Sequence, residues 1–255
     1  MVDELNVKEK MPTSGSVKKV VIFLHGYGAD GADLFSLSEP LSEQLPHCFF
    51  ASPDAPRKCG ASPFGFEWFP IPDIDGSTYP DMMKALASSE KLIIKLIDGY
   101  KKRFSLEYQD IILLGFSQGC MISLNIGLRQ LNNLGGIVGI SGRLLMPESL
   151  EERKESSYPP VILIHGDVDE VVPISSMYDA VKVLNKINVD FSTHTSKNIG
   201  HGIAPDGLAK ALEFIKNIFK YNSFWILILY YIYSHCCFLN LLLLLFMFHS
   251  TFMLF

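Results

Sequence analysis

Short, nearly unbroken apolar runs alternate along the chain with longer segments whose apolar positions return every three or four residues. "KVVIFLHG" (19–26), "CFFASPDAP" (48–56), "IILLGF" (111–116), "GGIVGISG" (135–142) and "PVILIHGD" (160–167) are of the first kind. Their length and β-branched content predict strands covered on both faces. "LFSLSEPLSEQL" (34–45), "MMKALASSEKLIIKLIDGYKKRF" (82–104), "GCMISLNIGLRQL" (119–131), "SMYDAVKVLNKI" (176–187) and "GLAKALEFIKNIF" (207–219) carry the helical period. "VDFSTHT" (189–195) alternates, as a half-exposed strand does. Strand–helix alternation with apolar strands predicts an α/β domain, a mostly parallel sheet with helices on both faces. In such sheets ligands meet the carboxyl ends of the strands.

The pattern divides the chain in three. Residues 1–16, "MVDELNVKEKMPTSGS", have no apolar core segment, which reads as a flexible lead-in and not a signal peptide. Residues 17–222 mix apolar and charged positions as one folded domain does. From 223 to 255 there is no Asp, Glu, Lys or Arg. Within that tail, the 25 residues 224–248 are long enough to cross a bilayer as a C-terminal hydrophobic helix. Lys210, Lys216 and Lys220 precede it, which would leave the domain cytoplasmic. The competing reading is a non-functional extension.

Composition removes several functions. The net charge is −5 and the basic residues are scattered, so no nucleic-acid partner is expected. Five cysteines, an odd number without a CxxC spacing, argue against a zinc site and a disulfide framework, and suit a reducing compartment. Nothing in the pattern speaks to oligomeric state.

Chemistry concentrates where strands end. Gly115-Phe116-Ser117-Gln118-Gly119 stands between a strand and a helix. That is the G-x-S-x-G elbow, in which small neighbours let a serine project over the N-terminus of the following helix. The plainer reading is a glycine-bracketed turn with a capping serine. A serine hydroxyl needs a base to take its proton. Of the later histidines, His194 lies inside a strand and His165 ends one. His201, in the glycine-flanked "NIGHGIAP", has the place of a catalytic imidazole. The loop "DVDEVVP" offers Asp167, Asp169 and Glu170 as its orienting acid, and spacing does not choose among them. "FLHGYGADG" (23–31) follows the first strand. There His25-Gly26 would turn the backbone inward, leaving the Tyr27 N–H opposite the Gln118 N–H as an oxyanion hole.

Taken together, "FLHGYGADG", "GFSQG", "HGDVDEVVP" and "GHGI" resemble the carboxylesterase/phospholipase family of α/β-hydrolases that includes the acyl-protein thioesterases. The similarity runs over about residues 17–220. It implies the α/β-hydrolase fold and a cofactor-free, metal-free serine hydrolase of carboxylic esters or acyl thioesters. It also implies Asp169 as the acid. "EWFPI" (67–71) matches a segment near the family's acyl pocket, so Trp68 and Phe69 would line the substrate site; otherwise both are plain core. The chain departs from the pattern at Cys120, where a second glycine is common, and at Glu170, where proline is common. The rival classes are a non-catalytic binding protein of the same fold and a dienelactone-hydrolase-like enzyme, which would prefer cysteine at position 117.

Overall fold

A computed structural model of the chain describes residues 4–13, 15–60, 62–152 and 157–219. The chain divides into two units, Met1–Lys216 and Asn217–Phe255. The expected C-terminal helix, with its 224–248 span, lies outside the described residues. Among the described residues no helix is long and apolar enough to cross a membrane.

The strands are β1 (Val7–Lys10), β2 (Lys19–Leu24), β3 (Cys48–Pro53), β4 (Arg57–Lys58), β5 (Phe66–Glu67), β6 (Ile111–Phe116), β7 (Gly136–Ile140), β8 (Val161–Gly166) and β9 (Phe191–Ser196). The helices are α1 (Gly31–Phe35), α2 (Ser38–Gln44), α3 (Pro72–Asp75), α4 (Tyr79–Phe104), α5 (Gln118–Arg129), α6 (Pro147–Glu151), α7 (Ser175–Lys186) and a closing helix α8 (205–219). Seven strands form one sheet in the order β1-β3-β2-β6-β7-β8-β9, and every pair but the first is parallel. A two-residue hairpin pair, β4 and β5, stands apart.

The segment expected to be a loose lead-in supplies β1. Val7–Lys10 runs antiparallel to β3, pairing Val7 with Pro53 and Lys10 with Phe50. Being an edge strand with exposed Lys8 and Glu9, it has no apolar run to announce it.

Alternate side chains of each central strand go to opposite faces. Val20, Ile22, Leu24, Ile111 and Leu113 join Leu86, Ile93 and Ile97 of α4 and Ile122 and Ile126 of α5 in one cluster. Leu163 and Val161 meet Leu124 and Leu128 of α5 and Met177, Ala180 and Leu184 of α7 in a second. On the other face α8 closes the sheet, with Phe214 over Gly136 of β7 and Gly207 over Ile164 of β8. Each such Val, Leu, Ile or Met side chain, fully buried, contributes about 1.5–3 kcal/mol. Helix α4 starts one turn before its apolar pattern because Thr78 and Asp81 form a reciprocal capping box. The single helix expected over 34–45 is broken into α1 and α2, with Pro40 in the first turn of α2.

Candidate active site

Strand β6 passes into α5 through Ser117, whose backbone has φ 52° and ψ −114°. A non-glycine residue there costs on the order of 1–3 kcal/mol and is kept only where its surroundings enforce it. The Ser117 N–H is anchored on Ile140 O of the neighbouring strand at 2.8 Å. The flanking glycines are sterically required. A Cβ at 115 would sit 2.2 Å from Gly119 O, and one at 119 would sit 1.8 Å from Leu24 O. The next residue, Cys120, fits because Gly139 and Gly142 leave room for its sulfur. Burial pushes that thiol up to about 12, so it carries no thiolate near neutral pH.

Loops from β8 and β9 converge on this serine. Ser117 Oγ lies 2.9 Å from His201 Nε2, and His201 Nδ1 lies 2.8 Å from Asp169 Oδ2. An ionised carboxylate only accepts, so Nδ1 carries the ring proton and Nε2 is free to accept from the serine hydroxyl. The Asp169 side chain is fully buried, and its Oδ1 accepts from the N–H groups of Val171 and Val172, both at 2.9 Å. Burial opposes ionisation of Asp169. The His201 ring and the two N–H groups outweigh it, and the carboxyl stays below its usual range. Gly166 lets the two loops close on one another: a Cβ there would be 2.2 Å from Ile199 O.

The other sequence candidates separate by position. Asp167 is turned away from the imidazole; it accepts the Asn198 N–H at 2.6 Å and pairs with Lys197 at 3.3 Å, pinning the His201 loop. His194 pairs with Asp206 at 2.7 Å on the outer strand. His165 lies buried beneath the acid loop, its Nε2 2.7 Å from Val172 O and 3.3 Å from Asp169 Oδ2. Sequence reasoning missed Phe116, whose ring lies 5.0 Å from that of His201, centre to centre. Its place just before Ser117, at the end of an apolar strand, is its signal in the sequence.

The loop after β2 crosses the elbow closely. A Cβ on Gly26 would be 3.2 Å from Phe116 Cδ1 and 3.4 Å from Ser117 Cβ. Its turn is fixed by Gly28 N–H to Phe66 O at 2.9 Å and by Ala29 N–H to Gly26 O at 3.3 Å, with Gly28 at φ 78°. Tyr27 lies inside this turn, between Gly26 and Gly28, and Gln118 opens α5 directly after the serine. Trp68 and Phe69 are 0% and 2% exposed, so here they offer no surface to a substrate. Instead Gln118 Oε1 accepts the Trp68 N–H at 2.8 Å and Gln118 Nε2 donates to Phe69 O at 2.6 Å, clamping this segment against the elbow. The plainer reading, core aromatics, describes their packing. Among the described residues, no cluster of three His, Cys, Asp or Glu side chains could hold a metal ion.

Known proteins share this arrangement of elements. The sequence profile of the phospholipase/carboxylesterase family matches residues 7–219. Acyl-protein thioesterase 1 of Saccharomyces cerevisiae is 30% identical over 216 residues, covering 78% of this chain and 92% of that protein. The protein of the same name from Yarrowia lipolytica is 26% identical over 226 residues, covering 83% and 96%. The crystal structure of esterase PE8 is 37% identical with a TM-score of 0.78, covering 84% of this chain and 99% of that one. Acyl-protein thioesterase 2 of Zea mays, at 24% identity and a TM-score of 0.67 over 84% of this chain and 98% of that one, has the same fold. With its four motifs brought together on an α/β-hydrolase fold and the family profile matched over nearly the whole described domain, this chain belongs to the phospholipase/carboxylesterase family.

Proposed function

We propose that the protein hydrolyses carboxylic esters and acyl thioesters by transferring the acyl group to Ser117. The observation that carries this reading is the unbroken hydrogen-bonded series Ser117–His201–Asp169 at a strained elbow. Ser117 Oγ attacks the substrate carbonyl carbon while its proton passes to His201 Nε2. The charge that develops on the carbonyl oxygen is received by the N–H groups of Tyr27 and Gln118. When the tetrahedral intermediate collapses, the C–S or C–O bond breaks and His201 returns the proton to the departing thiolate or alkoxide. Water then repeats the sequence and frees the acid. Asp169 holds the imidazole in the required tautomer and stabilises its charged form. No cofactor takes part in these steps. The ester and thioester classes are supported by the names of the relatives, an esterase and the acyl-protein thioesterases. A purely binding role gives no reason to hold a strained serine in line with a buried carboxylate, and dienelactone-type chemistry would call for a cysteine at 117.

Ser117→Ala tests the reading. It should abolish turnover of p-nitrophenyl esters and acyl thioesters down to the small residue left by binding and the oxyanion hole. A fluorophosphonate should label the unaltered chain at Ser117. Labelling at another serine, or turnover retained by the variant, refutes the assignment.

For the tail, the reading supported by sequence is a membrane association through 224–248 that keeps the domain on the cytoplasmic side. The full chain should then sediment with membranes and resist carbonate extraction, whereas a chain ending near Asn222 should remain in solution and active. A full chain that stays in the soluble fraction refutes the anchor.

A further inference from the structure

One buried imidazole beside the site has no part in the steps above. His25 directly follows β2 and is 0% exposed. The Ala55 N–H, two residues past β3, donates to its Nε2 at 2.9 Å. An Nε2 that accepts leaves the ring proton on Nδ1, and Nδ1 lies 2.8 Å from Gly26 O. The tautomer is therefore set by the loop that follows β3. Burial lowers the basicity of this ring, against weaker opposing effects of Gly26 O and the nearby aspartates, which keeps it neutral.

Gly26 O belongs to the same peptide unit as the Tyr27 N–H. Among the described residues every peptide bond is trans, and in a trans unit the carbonyl and the N–H point in opposite directions. The carbonyl is held by the His25 ring and by the Ala29 N–H at 3.3 Å, which turns the Tyr27 N–H of the same unit the opposite way, away from the imidazole. The other side of His25 is fixed as well: the Trp68 indole N–H donates to His25 O at 2.9 Å, and its ring lies 5.2 Å from the imidazole. Trp68 is in turn held by Gln118 through its own N–H and by Ser89 through its carbonyl. Both oxyanion donors consequently hang from one buried frame.

We infer that His25 is a positioning residue of the oxyanion hole, its Nδ1–H fixing the Gly26–Tyr27 peptide so that the Tyr27 N–H meets the developing oxyanion. The inference rests on the acyl-transfer reading above. A hole whose donor has drifted still binds substrate but stabilises the transition state less, so the signature is a loss in kcat with little change in KM.

The test uses the full chain with His25→Leu, His25→Asn and His25→Gln. An asparagine amide reaches the position of Nδ1, whereas a glutamine amide reaches that of Nε2. Rates with p-nitrophenyl butyrate are resolved into kcat and KM. Inhibition by an alkylboronic acid, whose tetrahedral serine adduct places an oxygen in the hole, is measured alongside. His25→Leu should lower kcat by about 100-fold, the scale of losing one oxyanion donor, with KM within about threefold. Asparagine should recover about tenfold of that loss and glutamine should not, and boronic-acid affinity should fall in step with kcat/KM. Equal losses for asparagine and glutamine, or a loss confined to KM with unchanged boronic-acid affinity, overturn the inference. Should the leucine variant not fold, the asparagine and glutamine variants carry the test by themselves: asparagine should keep a kcat about tenfold above that of glutamine at similar KM, and equal kcat values overturn the inference. Ser117→Ala in the same series separates the two readings. Turnover by that variant sinks the acyl-transfer mechanism, whereas an inactive variant beside unordered His25 variants sinks the positioning role alone.

Discussion

Asparagine at position 169 should be far more damaging than its shape suggests, for a reason visible in the acid loop. Asp169 Oδ1 already accepts two backbone N–H groups, from Val171 and Val172. An asparagine must turn its carbonyl oxygen to those donors, since an NH2 group there would face N–H groups. Its NH2 then points at His201 Nδ1, where a donor would meet a donor. The clash is relieved only if His201 adopts the other tautomer, with the lone pair on Nδ1 and the proton on Nε2. That nitrogen faces Ser117 Oγ at 2.9 Å and can no longer take its proton. Holding the base in the wrong tautomer costs about 10⁴-fold in kcat, or about 5.5 kcal/mol at 1.36 kcal/mol per decade. Asp167→Asn should stay within about threefold of wild type, because asparagine still accepts the Asn198 N–H and the lost Lys197 pair is exposed. Initial rates with p-nitrophenyl butyrate give kcat and KM for each variant, circular dichroism checks the fold, and the rate of fluorophosphonate labelling reports serine reactivity independently. Asp169→Asn within tenfold of wild type, or Asp167→Asn as inactive as it, refutes the reasoning.

Three further outcomes follow from packing and charge. Gly99→Ala on the exposed face of α4, where a Cβ meets nothing within 4 Å, should stabilise the domain by about 0.5–1 kcal/mol and raise the melting temperature by about 2 °C, as read by thermal denaturation. Gly139→Ala puts a Cβ 2.7 Å from Cys120 Sγ and should destabilise, with Cys120→Ala restoring part of the loss; strictly additive effects in urea melts would show that the sulfur is not what fills the space. Burial raises the Glu90 carboxyl against the amides of Asn125 and Gln130. The folded state therefore binds that proton more readily than the unfolded one, and stability gains as pH falls through the raised value, fully by the ordinary glutamate value. Thermal melts between pH 8 and 5 should show wild type gaining on Glu90→Gln; a constant difference contradicts it.

How far the sequence reached depended on whether a residue's neighbours are local. The elbow was legible because Gly115, Ser117 and Gly119 are constrained within five positions and their strand and helix carry opposite periods. His201 followed from its glycine-flanked loop after the last strand. The choice of acid was not legible from spacing, because Asp167 and Asp169 differ in which oxygen faces which loop, a matter of β8 meeting β9 across 31 or 32 positions. Trp68 and His25 were harder. Their partners lie 43 and 30 residues away, and an indole that braces a loop leaves the same trace in a sequence as one that lines a pocket. Strand β1 was lost because an edge strand needs only one paired side, so Val7–Lys10 carries no apolar run.

The serine and its base stand 84 positions apart, and the base arrives only with the loop that follows β9. Synthesis proceeds from the N-terminus, so β6 and the elbow helix leave the ribosome long before residues 197–201 do. A nascent chain can therefore present a glycine-flanked serine without any means of activating it. On the acyl-transfer reading proposed above, the hydroxyl gains its base only when β8 and β9 have paired and Gly166 has let their loops close. Reactivity towards a fluorophosphonate is thus a late marker of maturation: in a refolding or translation time course it should follow the return of helix and sheet signals, and a partly folded chain should pass through the cell without acylating itself on stray esters.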